Sequence, residues 1–198
     1  MGFIGFYDYT VVLTYISLIS SLIGIKMAAD GNLTVAIGLL ILSGVCDMFD
    51  GIVARSKKNR TEDQKNFGIQ LDSLCDIVCF GVFPAVFLYY SGVNTVLGLC
   101  ILVFYVLCAL IRLAFFNVLE TKRQATENTC AKSYRGLPVT SAAIILPVFY
   151  GISFICQDQI MTIIYYIVPV LTGFLFILDF RIPKIDYVKL VHKLFHKK

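Results

Sequence analysis

Apolar residues in this chain come in long unbroken blocks rather than in alternating or one-sided patterns. Six blocks reach the roughly 17–25 residues that a membrane-crossing helix needs: Val11–Ala29, Leu33–Val53, Ile69–Tyr90, Val96–Val118, Leu137–Cys156 and Ile160–Leu178. Tiny polar turns ("DGN", "SGVNT", "QDQ") join the first block to the second, the third to the fourth and the fifth to the sixth. Two longer polar stretches, 56–67 ("SKKNRTEDQKNF") and 119–135, make the other connections. The pattern predicts an all-α polytopic integral membrane protein with six transmembrane helices, three hairpins in one domain over 1–198. Past Arg181, Tyr187, Val188, Val191, Leu194 and Phe195 share one helical face and lysines the other, which predicts an amphipathic C-terminal interfacial helix. His192 and His196 belong to the wet side of that helix.

Composition supports a membrane class. Of 198 residues, 58% are hydrophobic and only 15% charged, with a mean hydropathy of +0.81; a soluble domain is about half apolar and about a quarter charged. No basic region precedes the first block and further spans follow it, so it reads as a retained span and not a cleaved signal. The 17 Lys and Arg are unevenly placed: five between 55 and 65, four between 122 and 135, and six from Arg181 onward, with none in the tiny turns. The positive-inside rule then puts both termini and both long loops in the cytosol, in the cell membrane. A net charge of +4 reflects this basic rim, which suits anionic membrane lipids. No nucleic-acid-binding motif accompanies it. The seven cysteines are scattered, and the Cys75/Cys79 pair lacks the partners of a metal site, so both read as small core residues.

Against this apolar background four acids stand out: Asp47 and Asp50 near the end of the second block, Asp72 and Asp76 within the third. At about 100° per residue, Asp47, Asp50, Gly51, Ala54 and Arg55 fall within an arc of roughly 140°. Gly68, Asp72 and Asp76 share an arc of roughly 80° on the next helix. Joined by a short loop as an antiparallel pair, the two arcs can face each other, with the site about 10 Å deep. Four like charges so placed repel in low dielectric and call for cations between them. Hard divalent ions suit oxygen-only ligands, Mg²⁺ first with Mn²⁺ or Ca²⁺ behind it. Four carboxylates can hold two such ions about 3.5–4 Å apart. Glycines on the acid faces let a bulky group approach the backbone, and Arg55 offers a bidentate fork for phosphate. The combination points to phosphate chemistry at the cytosolic surface. Structural ion pairing explains the acids poorly, since the spans contain only Lys26 and Arg112, with Lys26 at the far end. A divalent-cation transporter explains the acids but not the glycines or Arg55.

The pattern Asp47-x₂-Asp50-Gly51-x₂-Ala54-Arg55…Gly68-x₃-Asp72-x₃-Asp76 resembles the signature of the CDP-alcohol phosphatidyltransferase family. One departure is the spacing between Arg55 and Gly68: twelve residues (Ser56–Phe67) where the family usually has eight, which touches local loop contacts and leaves the acid faces intact. The resemblance implies displacement of CMP from a CDP-linked lipid by an alcohol, with Asp47, Asp50 and Asp72 binding metal. Asp76 would complete the cage and act as general base. Gly51, Ala54 and Gly68 would make room for the cytidine nucleotide, Arg55 would hold the diphosphate, and a homodimer is the expected assembly. Three further stretches, "LDSLCDIVCFGVFPA", "RLAFFNV" and "YRGLPVTSAA", resemble the serine-using branch, which implies CDP-diacylglycerol and L-serine as substrates. Arg112, Asn117 and Arg135 are then candidates for the acceptor carboxylate or the lipid phosphate, with an acid partner or a carbonyl cap as the structural alternative for Arg112. Glycerol 3-phosphate or an inositol phosphate as the acceptor is the nearest rival.

Overall fold

The computed structural model describes residues 5–6, 9–57, 60–125 and 133–183. A 3₁₀ turn (Tyr9–Val11) leads into α1 (Val12–Ala29), and α2 (Leu33–Ser56) returns after a tight turn in which Gly31 sits at φ +81°. The next rod has three parts: α3 (Glu62–Asp76), a π-helical stretch (Ile77–Val82) and α4 (Phe83–Tyr90). Then follow α5 (Val96–Ala125), a 3₁₀ turn (Val139–Ser141), α6 (Ala142–Ser153) and α7 (Asp158–Ile177). The all-α expectation gains one addition: strands β1 (Ser133–Arg135) and β2 (Arg181–Pro183) pair antiparallel, with Tyr134 opposite Ile182.

Among the described residues, five helices are long and apolar enough to cross a membrane: Tyr9–Ala29, Leu33–Val53, Glu62–Tyr90, Val96–Thr121 and Asp158–Ile177. The fifth apolar block yields a shorter apolar helix, Val139–Ser153. Pro138 is extended (ψ 140°), and the chain leaves the helix after Ser153, whose hydroxyl donates to the Tyr150 carbonyl at 2.6 Å. Large apolar side chains such as Ile19, Leu22, Leu42, Leu107, Ile163 and Leu171 point outward, as the lipid-facing surface of a bundle requires. The tail expected to form an interfacial helix, with His192 and His196, lies outside the described residues.

The polar stretch expected as a twelve-residue loop is mostly helix. Thr61 and Gln64 form a capping box: the Thr61 hydroxyl accepts from the Gln64 N–H and the Gln64 side chain accepts from the Thr61 N–H, both at 3.2 Å. Glu62 and Asp63 sit in the first turn, where acids suit the helix dipole. α3 therefore starts six residues before Gly68, and only residues 57–61 connect it to α2.

The π stretch follows Asp76 directly. Pro84 has no N–H to give the Phe80 carbonyl four residues earlier. The hydroxyl of Tyr105 on α5, itself buried, donates to that carbonyl at 2.7 Å. The local widening thus has a sequence cause and a compensating partner across the bundle.

α1 packs closely along α2 through small and polar residues: Thr14, Ser17, Ser21, Gly24 and Ala28, all buried. Lipid tails provide no hydrophobic drive for helices to associate, so close approach and interhelical hydrogen bonds carry that interface. Ser17 and Ser43 hydroxyls lie 2.6 Å apart, Ser21 donates to the Ser43 hydroxyl at 3.0 Å, and Ser20 donates to the Leu39 carbonyl at 3.0 Å. Gly24 lies against the fully buried Phe83 ring, so α1 also meets α4.

Candidate active site

Asp47 and Asp50 stand on one face of α2, and Asp72 and Asp76 stand one helical turn apart on one face of α3, as the 3.6-residue period requires. One carboxylate oxygen from each of Asp47, Asp50 and Asp72 lies within 4.8 Å of the others. Asp76 belongs to the same constellation: it faces Asp47 at side-chain hydrogen-bonding range, as Asp72 faces Asp50. An antiparallel hairpin dictates this pairing, since the residue numbers of opposed positions must sum to a near-constant value. Asp50 and Asp76 are each only 9% exposed, so the acids are drawn well into the protein.

The supporting geometry differs from a simple hairpin. α1 packs against both α2 and α3, whereas α2 and α3 come less close to each other than α2 does to α1. Across that gap the carboxylates reach toward one another. From α1, the buried Thr14 hydroxyl donates to Asp50 Oδ2 at 3.2 Å. One turn further along, Ser17 donates to the Ser43 carbonyl at 3.2 Å and to Cys79 Sγ at 3.5 Å, joining α1 to α2 and to the π stretch. Thr14 was not among the residues expected from the motif. Its signal was the repeat Thr14-x₂-Ser17-x₃-Ser21-x₂-Gly24 in an otherwise apolar block.

The remaining expected site residues divide. Gly51 follows Asp50 on α2, and Gly68 stands one turn before Asp72 on the acid face of α3. Ala54 and Arg55 are in the last turns of α2, but their side chains, like that of Arg135 on β1, lie outside the described residues. Arg112 is 7% exposed on the inner face of α5, with its guanidinium 5.6 Å from the Phe116 ring centre and its Nε without a hydrogen-bond partner among the described residues. Gly136, at φ +70°, passes beside it: a Cβ there would lie 3.5 Å from Arg112 Nε and 3.0 Å from the Leu178 carbonyl. Asn117 is engaged in joining α5 to α3, accepting from the Ser73 hydroxyl at 2.7 Å and donating to Gln70 Oε1 at 3.4 Å. Cys75 and Cys79 are buried and outside the metal-ligating cluster, consistent with core residues. Lys26 pairs with Asp30 at the far end of α1 and leaves the acids without its charge.

An all-carboxylate donor set of this geometry fits a hard divalent cation. Asp47, Asp50 and Asp72 supply the converging oxygens, with Asp76 adjacent.

The chain matches the model of the CDP-alcohol phosphatidyltransferase family over residues 9–178. It is 35% identical over 144 residues to the archaetidylserine synthase of Methanothermobacter thermautotrophicus, covering 70% of this chain and 56% of that protein. It is 35% identical over 146 residues to the CDP-diacylglycerol–serine O-phosphatidyltransferase of Methanocaldococcus jannaschii, covering 74% of this chain and 62% of that protein. The enzyme of the same name from Helicobacter pylori is 30% identical over 193 residues, 96% of this chain and 77% of its own length. The chain thus spans a little over half the length of the two archaeal relatives. No solved structure matches it.

Proposed function

Because the chain belongs to the CDP-alcohol phosphatidyltransferase family, we propose that it transfers the phosphatidyl group of CDP-diacylglycerol to the hydroxyl of L-serine, releasing CMP. The observation that carries this reading is the convergence of motif acids from two helices into one carboxylate cluster. The names of the relatives favour serine over glycerol 3-phosphate or inositol phosphate. The cluster does not favour transport, since a cation pathway leaves the motif glycines and Arg55 unexplained.

Asp47, Asp50, Asp72 and Asp76 would hold Mg²⁺ or Mn²⁺, in a two-metal arrangement. Bound there, the cations would neutralise the diphosphate and the charge growing on departing CMP. The protein's own residues then have three tasks. Gly51, Ala54 and Gly68 leave room for the cytidine nucleotide, and Arg55 grips its diphosphate. Asp76 takes the serine hydroxyl proton as the serine oxygen bonds to the phosphorus bearing diacylglycerol. The bond from that phosphorus to the CMP oxygen breaks, and CMP leaves with the electron pair. Arg112, buried with its Nε unpartnered among the described residues, would receive the serine carboxylate or the lipid phosphate, a role Arg135 would share, with Asn117 holding α5 in place. Binding both substrates in line supplies most of the acceleration.

We also read the chain as one domain with six crossings, Val139–Ser153 being the shortest. The β1–β2 ladder supports this, because it brings the start of the α6–α7 hairpin back beside its end. An even number of crossings then sets both termini, the basic loops and the site on the cytosolic side of the cell membrane. The C-terminal interfacial helix and the homodimer belong to the same proposal.

The test is CMP release by detergent-purified protein given CDP-diacylglycerol and Mg²⁺ or Mn²⁺, with L-serine, glycerol 3-phosphate and inositol phosphate in separate reactions. Release with serine alone is expected. Release only with a phosphorylated acceptor would overturn the serine assignment, and metal flux into proteoliposomes without any CMP release would overturn the enzyme.

A further inference from the structure

The stretch by which this chain exceeds the usual family spacing carries a cation that the motif does not include. Arg60 stands just before the Thr61 cap, and its side chain folds back along α3. One guanidinium nitrogen donates to the Gln64 carbonyl at 3.0 Å. The group lies over Gly68: a Cβ on Gly68 would sit 2.6 Å from Arg60 Nη2 and 3.7 Å from its Cζ. Arg60 Nε is buried and has no hydrogen-bond partner among the described residues. A buried guanidinium donor with no acceptor is costly, and such a group is explained by an absent partner. Gly68 shares its helical face with Asp72 and Asp76, one and two turns deeper. The guanidinium therefore stands at the outer edge of the acid cluster, on the side from which a substrate would enter.

We propose that Arg60 is a substrate-binding residue that contacts the diphosphate of the CDP-linked lipid. This rests on the phosphatidyltransferase reading. The chemistry matches on both sides: a planar fork of N–H donors suits phosphate oxygens, and a diphosphate bridging toward the acids must carry negative charge past Gly68. The extra residues would then have a use. They extend α3 outward, and the capping box fixes where the helix starts, with Arg60 just ahead of it and its side chain running along the first turns.

The experiment compares wild type, Arg60→Ala and Arg60→Lys by calorimetric titration with CDP and with cytidine in the presence of Mn²⁺, and by the KM for CDP-diacylglycerol. Loss of a charge-assisted contact predicts CDP binding about ten-fold weaker in Arg60→Ala. Cytidine binding should stay at the wild-type value, which also reports that the variant is folded. Arg60→Lys should recover part of the loss, since it keeps the charge but not the fork. Unchanged CDP affinity in Arg60→Ala would overturn the proposal, and tighter CDP binding would make Arg60 a plug instead. Failure of the wild-type protein to release CMP with any acceptor would instead remove the underlying enzyme reading.

Discussion

Replacing Thr14 with valine removes one hydroxyl and keeps the branched shape, so it isolates the bond from α1 to Asp50. Asp50 is 9% exposed and Thr14 is 6% exposed, so water replaces that donor poorly. The bond length of 3.2 Å exceeds the about 2.5–2.7 Å of a strong hydroxyl–carboxylate bond. Its contribution therefore belongs near the low end of the about 1.5–3 kcal/mol assigned to bonds with charged groups. The loss bears on metal binding, because Thr14 orients a carboxylate that is proposed to ligate. Partners behind metal ligands typically change affinity about 10–100-fold, and the long bond predicts a value near ten-fold. Mn²⁺ titration of detergent-purified protein, followed by electron paramagnetic resonance, measures this without turnover. Thr14→Val should bind Mn²⁺ about ten-fold more weakly, with Thr14→Ser close to wild type. Equal affinities for wild type and Thr14→Val, with the valine variant folded, would refute the positioning role.

Three further outcomes follow from the same geometry. Asp50→Asn keeps the size of the side chain but halves its ligating capacity, and it should abolish CMP release; near-wild-type turnover at saturating Mg²⁺ or Mn²⁺ would remove Asp50 from the metal site. Gly24→Ala places a Cβ 2.2 Å from Cζ of the fully buried Phe83 ring, and overpacking of this kind costs about 1–3 kcal/mol. A lower thermal midpoint in detergent is expected, and an unchanged midpoint would mean that α1 and α4 are not packed as described. Tyr105→Phe leaves the Phe80 carbonyl without its cross-bundle donor, a loss of about 1 kcal/mol between membrane helices. No loss of stability in detergent unfolding would show that the carbonyl is satisfied without Tyr105.

Hydrophobic blocks and the one-sided acids were legible because each rests on a strong local signal. Twenty apolar residues have few alternatives to a crossing helix, and Asp72 and Asp76 four apart on a helix must share a face. Helix ends were read less well. Block counting cannot see that Thr61 and Gln64 would cap α3, so a polar stretch that is mostly helix was expected as a loop. It cannot see that Pro138 stays extended and that the chain leaves the helix at Ser153, which shortens α6. The π stretch has its freed Phe80 carbonyl satisfied by the Tyr105 hydroxyl, twenty-five positions away, and no periodicity within one segment announces it. Arg60 was missed for a related reason: its position over Gly68 follows from the cap, not from the spacing of the motif.

The role of α1 explains how a cluster of repelling acids can exist at all. α2 and α3 carry every motif acid, yet the closer approach is between α1 and α2. Had the two acid helices met flush, their carboxylates would have lain nearer together with no space for ions or a diphosphate. Held apart without a support, they would have lost the shared focus. α1 resolves this by touching both, using Ser17 and Ser21 to bind Ser43 of α2 and Ser17 again to reach Cys79 beyond Asp76. Within lipid such contacts must come from small residues and hydrogen bonds, since burying apolar surface offers no gain over the tails. The helix that contributes no motif acid thus sets the distance across which the acids work.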